Sequence, residues 1–452
     1  MHYIHSVPEP QEESSSGLAF VRAVSRLSGR VAGSVGERQA QELMAGRLHR
    51  LGFEAVVEGA VCPPPPPGVL ALHAAVGLVG LSLTYFSPPF AAMVGALMAF
   101  SFWGELRGAP LILQRLLLKR VSGNMVARLD RPGPRPERSD TDRRSIPKIL
   151  LVAHADVARA STLFQPWFRR LWDEPEDSPP PPPGTRPTRR QNGRLHPGSI
   201  VLLAAVAQAV TAIGVALGLS GALVATVLGA AGIVHLGLGL LALDWWRSPP
   251  VEGAIDNGSG MAVLVGVAEE VAREPLRHAE LWVVATGDRE PDSGGMDAFL
   301  FQFGTLLDPT NTALVNVDDV GLGALHIGTS EGRWDRLPYK PFVAGLAERL
   351  ARTGRFGEVK TAELVGRTDA GPATEAGFSA VTLTCLVDGS SPGQMHTTQD
   401  RFEEVDPTTV AHAQAFTAAL VRTLDRELAP DGPDLTLDAS RGRAQALSDT
   451  DP

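Results

Sequence analysis

Cysteine is nearly absent: only Cys62 and Cys385 occur in 452 residues. That excludes a disulfide scaffold and any zinc site built on several thiolates. A metal, if the chain takes one, must be held by histidine and carboxylates. A surplus of positive charge is missing too. Lys and Arg number 41 against 50 Asp and Glu, a net charge of -9, and the pI is about 5.7. Nucleic acid is therefore not expected as a partner. No secretory signal is visible, because the first twenty residues carry Glu9, Glu12 and Glu13 and lack an apolar core. No internal repeat is found. The length allows two or three domains.

Charge is also missing locally. Mean hydropathy is +0.03, high for a chain with proline-rich, charged stretches, so the apolar residues must be concentrated. They lie in two tracts, Gly68 to Gly104 and Ser199 to Leu243, neither of which contains Asp, Glu, Lys or Arg. Ser87-Pro88-Pro89 breaks the first and Leu219-Ser220-Gly221 the second. Each tract predicts two helices joined by a tight turn: Val69–Phe86 and Phe90–Gly104, then Ser199–Gly218 and Ala222–Leu243. At ~1.5 Å per residue the last two reach about 30 Å, the thickness of a bilayer core. Trp103, Trp245 and Trp246 lie at the ends, where interfacial aromatics belong. Buried helices of a soluble core are the alternative. Arg107, Arg115, Lys119, Arg120, Arg186, Arg189, Arg190, Arg194 and Arg247 all flank the hairpins on one side, and the turns carry no Lys or Arg. The positive-inside rule then puts the rest of the chain in the cytoplasm of an integral protein of the cell membrane.

The remaining sequence alternates predicted strands and helices, which indicates an α/β domain. Residues 15–61 predict helix, turn, helix and a strand at Phe53–Glu58. Further strands are predicted at Ser122–Leu129, Lys148–Ala153, Leu281–Ala285, Ala313–Val317 and Ala380–Leu386, and helices at Gly258–Arg273 and Asp406–Leu428. Pro63–Pro67 is a stiff spacer, and the loop 131–147 is too polar to pack. The expected organisation is a disordered tail (1–16), a domain built from 17–67, 105–198 and 247–428, hairpins at 68–104 and 199–246, a flexible linker at 173–198, and a second tail (429–452).

Five short motifs sit at or just after predicted strand ends, where α/β sheets assemble ligands. They are His154-Ala155-Asp156, Asp256-Asn257-Gly258-Ser259-Gly260, Asp288-Arg289-Glu290, Asn316-Val317-Asp318 and His396-Thr397. Taken singly, each has an ordinary reading. Asp256 could cap a helix, Glu290 could be a solvated loop acid, His396 a surface histidine. Together, two imidazoles and three carboxylates could hold two zinc ions about 3.5–4 Å apart. Asp156 is placed to orient the His154 imidazole. His73, His235, His278 and His326 lack such context, and Asp319 is assigned no role beyond capping.

These motifs carry a resemblance. "LLVAHAD", "GAIDNGSGMAVLVGVAEEVA", "VVATGDREPDSGGMDAF", "LVNVDDVG" and "GFSAVTLTCL" followed by "MHTTQDRFEEVD" occur in the order found in zinc aminopeptidases related to glutamate carboxypeptidase II, the transferrin receptor and glutaminyl cyclase. "GRVAGSVGERQAQELMAGRLHRLGFEAV" is similar to that family's opening helices. The resemblance covers roughly residues 17–61 and 121–428, the hydrophobic insertions apart. It implies a central mixed, mostly parallel sheet flanked by helices, interrupted here by two transmembrane hairpins. It implies two zinc ions held by His154, Asp256, Glu290, Asp318 and His396. Asp256 would bridge them, with His154 and Asp318 on one ion and Glu290 and His396 on the other. It implies a peptide as substrate, attacked by a metal-bound hydroxide.

Position 289 departs from the family, which has two adjacent acids here, the first being the general base. A guanidinium stays charged and cannot take that proton. Asp288 is the candidate substitute, since side chains alternate on an extended segment and Asp288 would then share the direction of Glu290. Asp292 is a further candidate by nearness. Thr368-Asp369-Ala370 also departs from the family's frequent Ser-Asp-His. The expected function is a membrane-anchored zinc aminopeptidase. The alternatives are a catalytically impaired relative that keeps the metal site for binding or structure, and one-zinc acyl transfer such as glutaminyl cyclisation. A transporter would need charges within the helices and more spans; Asp244 lies only at an end.

Overall fold

The computed structural model describes residues 16–27, 29–109, 111–129, 144–169, 197–290, 293–332, 336–387 and 392–429. The expected tails, most of the loop 131–147, nearly all of the linker 173–198, Asp292, Arg186, Arg189, Arg190 and Arg194 lie outside these residues. The chain divides into two compact units. One comprises Met1–Val61, Val121–Ala158 and Pro250–Pro452, the other Cys62–Arg120 and Arg159–Pro249.

The first unit is built on a nine-stranded mixed sheet. Its strands are β1 (Glu54–Cys62), β2 (Arg120–Leu129), β3 (Lys148–His154), β4 (Glu280–Thr286), β5 (Thr312–Asp318), β6 (Ala324–Glu331), β7 (Leu337–Pro338), β8 (Lys360–Glu363) and β9 (Ser379–Leu386). The spatial order is β1-β2-β4-β3-β5-β9-β6-β7, with β8 also on β6. The four central strands β4, β3, β5 and β9 are parallel. β2 and β6 flank them antiparallel. Strands β3, β5 and β9 are buried along their whole length, which is why they read as unbroken apolar runs. Helices α1 (Ser16–Ser25), α2 (Val35–Arg50), α7 (Gly260–Arg273), α8 (Gly294–Phe303), α9 (Pro341–Arg352), α10 (Ala370–Glu375) and α11 (Pro407–Glu427) cover the sheet. α7 is buried from Gly260 to Ala268, packed against β3 and β5 and beneath α1 and α11.

The parallel strands bring chemistry to one edge. His154 ends β3 opposite Thr286, the last residue of β4. Asp318 ends β5 opposite Thr384 of β9. The loops that follow these ends are the crevice in which open parallel sheets bind ligands.

The second unit contains four helices: α3 (Pro66–Leu83), α4 (Pro88–Leu106), α5 (Pro197–Ala216) and α6 (Ala222–Arg247). All four are long and apolar enough to cross a membrane. They form a ring in which α3 touches α4 and α6, and α5 touches the same two. Small residues let the backbones close in: a Cβ on Gly95 would come within 3.2 Å of the Ala209 main chain. Only 22–39% of each span is buried by the rest of the structure, so most of its apolar surface faces outward. Polar side chains point inward instead. His73 Nε2 meets Ser101 Oγ at 3.2 Å, and His235 Nε2 meets Gln208 Oε1 at 2.8 Å.

Two stretches read from the sequence as parts of the α/β domain belong with these helices. In 105–120, the Leu113 N–H donates to Ser101 Oγ of α4 (2.9 Å). In 159–169, Asp244 Oδ2 of α6 accepts from Ser161 Oγ and the Thr162 N–H, both at 2.8 Å. A ring contact between Phe164 and Trp245 (5.4 Å) adds to this. Local polarity hid these attachments.

Candidate metal centre

The turn between residue 253 and α7 supplies one edge of the site. Gly253 has φ 68°, and a Cβ there would lie 2.1 Å from Val157 Cγ1 and 2.6 Å from the Arg30 guanidinium, so only glycine fits. Asn257 fastens the turn. Its amide donates to the Val317 carbonyl (2.8 Å) and its oxygen accepts from the Gly260 N–H (3.0 Å). The Asp256–Asn257 peptide is cis. Asp400 holds the other side, its two oxygens accepting from the N–H groups of Ile255 (2.7 Å) and Asp256 (3.2 Å).

The structure brings the five expected ligands together at one buried point. His154 Nε2 lies 3.0 Å from Asp256 Oδ1 and 3.2 Å from Asp318 Oδ1. His396 Nε2 lies 3.2 Å from Asp256 Oδ2 and 2.9 Å from Glu290 Oε2. Asp256 therefore stands between the two imidazoles, one oxygen toward each. Neither of its oxygens accepts a hydrogen bond among the described residues. A buried carboxylate in that condition is costly unless a cation takes it up. Two compact groups could each hold a metal ion, His154 with Asp256 and Glu290, and Asp256 with Asp318 and Asp319.

The electrostatics follow from this crowding. Burial pushes the His154 imidazole down, but the nearby carboxylates of Asp156, Asp256 and Asp318 outweigh it and hold it well above the usual range. His396 is likewise opposed by burial and raised to about 10 by Glu290 and Asp256. Burial works against the Asp256 anion, yet the two imidazoles hold it well below the carboxylate range. Asp319, buried beside Asp256 and Asp318, is driven well above that range.

Asp156 accepts from the N–H groups of Arg289 (3.1 Å) and Glu290 (3.0 Å). His154 Nδ1 lies 3.1 Å from the Asp156 carbonyl and 3.5 Å from its carboxylate. One residue thus braces both the imidazole and the acidic loop. Arg289 turns into the site. Its Nη2 donates to Asp318 Oδ2 (2.7 Å) and its Nη1 to Glu290 Oε1. The segment is not extended: Asp288 has φ 51°, so the alternation argument for its direction does not hold. Asp288 is buried, its N–H donates to Glu37 Oε1 (3.1 Å), and it belongs to neither metal-capable group.

Several residues that shape the site carry no motif. Arg30, fully buried, donates to the carbonyls of Ala155 (2.7 Å), Glu252 (3.0 Å) and Gly253 (2.6 Å). It ties the loop bearing Asp156 to the turn bearing Asp256. Glu37 accepts from Ser122 Oγ (2.7 Å) and the N–H groups of Gly33 (2.7 Å) and Asp288 (3.1 Å); burial raises it to about 8. Asp369 accepts from Thr286 Oγ1 (2.6 Å) and is raised by burial to about 7. Asp319, given no role by sequence, faces the site. Asp288, Asp319 and His396 all have positive φ, a backbone cost that clusters at functional sites.

Residues 240–421 match the model of peptidase family M28, a span that holds every expected ligand except His154. A search of curated proteins returns no match. Among solved structures, a zinc aminopeptidase from Bacillus subtilis aligns at 12% identity over 90% of this chain and 94% of that one, with a TM-score of 0.51. This likeness shows the shared fold. An aminopeptidase from Aneurinibacillus sp. strain AM-1 aligns at 13% identity (90% and 93% covered, TM-score 0.49). Porphyromonas gingivalis glutaminyl cyclase aligns at 12% (90% and 97%, TM-score 0.47).

Proposed function

We propose that the chain, whose residues 240–421 match the model of peptidase family M28, is a membrane-anchored zinc metallopeptidase of aminopeptidase type whose rate is held down by Arg289. One observation carries the metal reading: two imidazoles and three carboxylates converge on a buried Asp256 whose oxygens accept no hydrogen bond. That donor set suits zinc, and its hard oxygens and imidazole nitrogens need no thiolate. Zinc, when bound, lowers the pKa of a water and polarises a carbonyl.

The chain's own residues set the rest. His154, Asp256, Glu290, Asp318 and His396 would hold the metal. Asp156 fixes the orientation of His154. The crowded carboxylates suit a positively charged amino terminus, which favours the end of a peptide as substrate. Position 289 is where a proton acceptor would face the attacking water. Arg289 is held well above even its ordinary range by the charges of Asp318 and Glu290, against burial, so it cannot accept a proton. Loss of a general base costs ~10²–10⁴ in rate. A second reading is favoured by the same contact. With the guanidinium already on Glu290 and Asp318, the domain would bind its ligand without turnover.

The four apolar helices are read as bilayer spans. His154 precedes the second insertion and Asp256 follows it, yet their side chains meet at 3.0 Å. That insertion must then cross an even number of times, and α5 and α6 meet the condition. Arg107, Arg115, Lys119, Arg120 and Arg247 flank the spans, which favours a cytoplasmic α/β unit. A protease-protection assay placing Arg120 and Arg190 on opposite faces would contradict this topology.

The test of function is zinc content together with hydrolysis of aminoacyl reporter substrates. Slow turnover is expected from the wild type, a rise of ~10²–10⁴ in Arg289→Glu, and none in Glu290→Ala. Bound zinc without turnover in either of the first two would favour the binding role. Absence of zinc from all three would end both readings.

A further inference from the structure

The contacts around Asp256 close into a ring. In order it runs Asp256, His154, Asp318, Arg289, Glu290, His396 and back to Asp256. Arg289 stands across this ring from Asp256. Its fork joins the outer oxygens of Asp318 and Glu290, the two acids that would each serve a different ion. All six residues are buried.

Resting on the metal reading above, we propose that the Arg289 guanidinium stands in for the second cation, so that the centre holds one divalent ion rather than two. The charge balance is the first argument. Three ring carboxylates bring three negative charges, and imidazoles bind metal in the neutral form. One guanidinium and one divalent ion cancel those charges. A second divalent ion would leave two positive charges uncompensated beside a buried guanidinium. At the few-ångström separations involved and an effective dielectric near 20, that repulsion weakens the second ion by ~10³-fold or more.

Geometry is the second argument. His154 and Glu290, expected on different ions, belong with Asp256 to one group whose ligand atoms all lie within 4.8 Å of one another. A single ion can draw on both halves. The fork matters as well as the charge. Arg289 reaches Asp318 and Glu290 together, taking one oxygen of each.

The test counts ions. Zinc is titrated calorimetrically into chelator-stripped, detergent-solubilised full-length protein, and bound zinc is measured after dialysis. The expected result is one ion per chain in the wild type and in Arg289→Lys, and two in Arg289→Glu and Arg289→Met. Thermal unfolding of each variant confirms that it is folded, and the wild-type titration alone tests the count if a variant is not. Two ions in the wild type would overturn this inference and leave the metallopeptidase reading intact. One ion in every variant would overturn it too, since the guanidinium would not be what excludes the second. No zinc in the wild type or in Arg289→Glu would instead remove the metal reading itself.

Discussion

The two units bury opposite things. In the α/β unit, Leu150, Val152, Val283 and Val315 fill the sheet. In the helical unit the outward faces carry Phe86, Leu217, Leu223 and Ile233, each at least 75% exposed. His73, Ser101, Gln208 and His235 lie wholly inside. The proposed topology accounts for the difference, with water around one unit and hydrocarbon around the other.

The largest effect that could break this comparison is release from the membrane. Washing with alkaline carbonate should leave the protein in the membrane pellet, and detergent should extract it. Recovery in the carbonate supernatant would mean the four helices cover one another in some soluble assembly.

A finer test places the same kind of change on both surfaces. Val210 in α5 is 61% exposed and Phe301 in α8 is 92% exposed. Val210→Asp should disfavour membrane insertion by ~2.5–3.5 kcal/mol, read as the inserted fraction in a translocon assay. Phe301→Asp should shift the stability of the α/β unit by less than about 0.5 kcal/mol. Equal tolerance at both positions would erase the distinction.

Acids and imidazoles crowd the buried centre of the α/β unit. In chelator-stripped protein, His396 rises from 6.5 to about 10 on folding. A folded pKa above the unfolded one gives stability that is whole below pH 6.5 and lost as pH climbs toward 10. Glu37, raised from 4.5 to about 8, adds a loss of the same sign at lower pH. The thermal midpoint of the metal-free α/β unit should fall between pH 6.5 and 10, and zinc should flatten the slope. A midpoint that rises over that range would contradict the arrangement around His396.

The smallest effect concerns the inward polar pair. Gln208→Leu removes the bond to His235 and the donation to the Gly77 carbonyl at 3.2 Å. Interhelical bonds of this kind average about 0.6 kcal/mol and reach about 1.7. Unfolding of the detergent-solubilised bundle should show a loss in that range.

The four apolar helices and most of the α/β strands were legible in the sequence, for different reasons. The spans show because charge is absent over whole helices, a signal that needs no partner. The five residues gathered around Asp256 show because each motif stands at or just after a strand end, where parallel sheets place their loops. Arg30, Glu37 and Asp319 did not show. Arg30 and Glu37 act through carbonyls and N–H groups of distant segments, which leave no local pattern. The Gly29-Arg30 and Gly33-Ser34 pairs were the only hint, with Ser34 capping α2. Asp319 was hidden by Asp318, since a second acid in a row reads as solvated until its backbone is seen to turn it inward. Strand β6 was missed because His326, Gly328, Thr329 and Ser330 interrupt its apolar run, and β7 and β8 because they are short, β8 being mostly exposed. The direction of Asp288 was misjudged because one left-handed residue cancels strand alternation.

Arg30 also has a consequence in the order of synthesis. Its three acceptors lie 125, 222 and 223 residues further along the chain. Both helical insertions are translated before the last two of them exist. A ribosome therefore exposes this arginine early and completes its shell only after the fourth helix has emerged. The α/β unit has to close across loops that long, which is slow, so its first half must wait unpaired while the four helices are made.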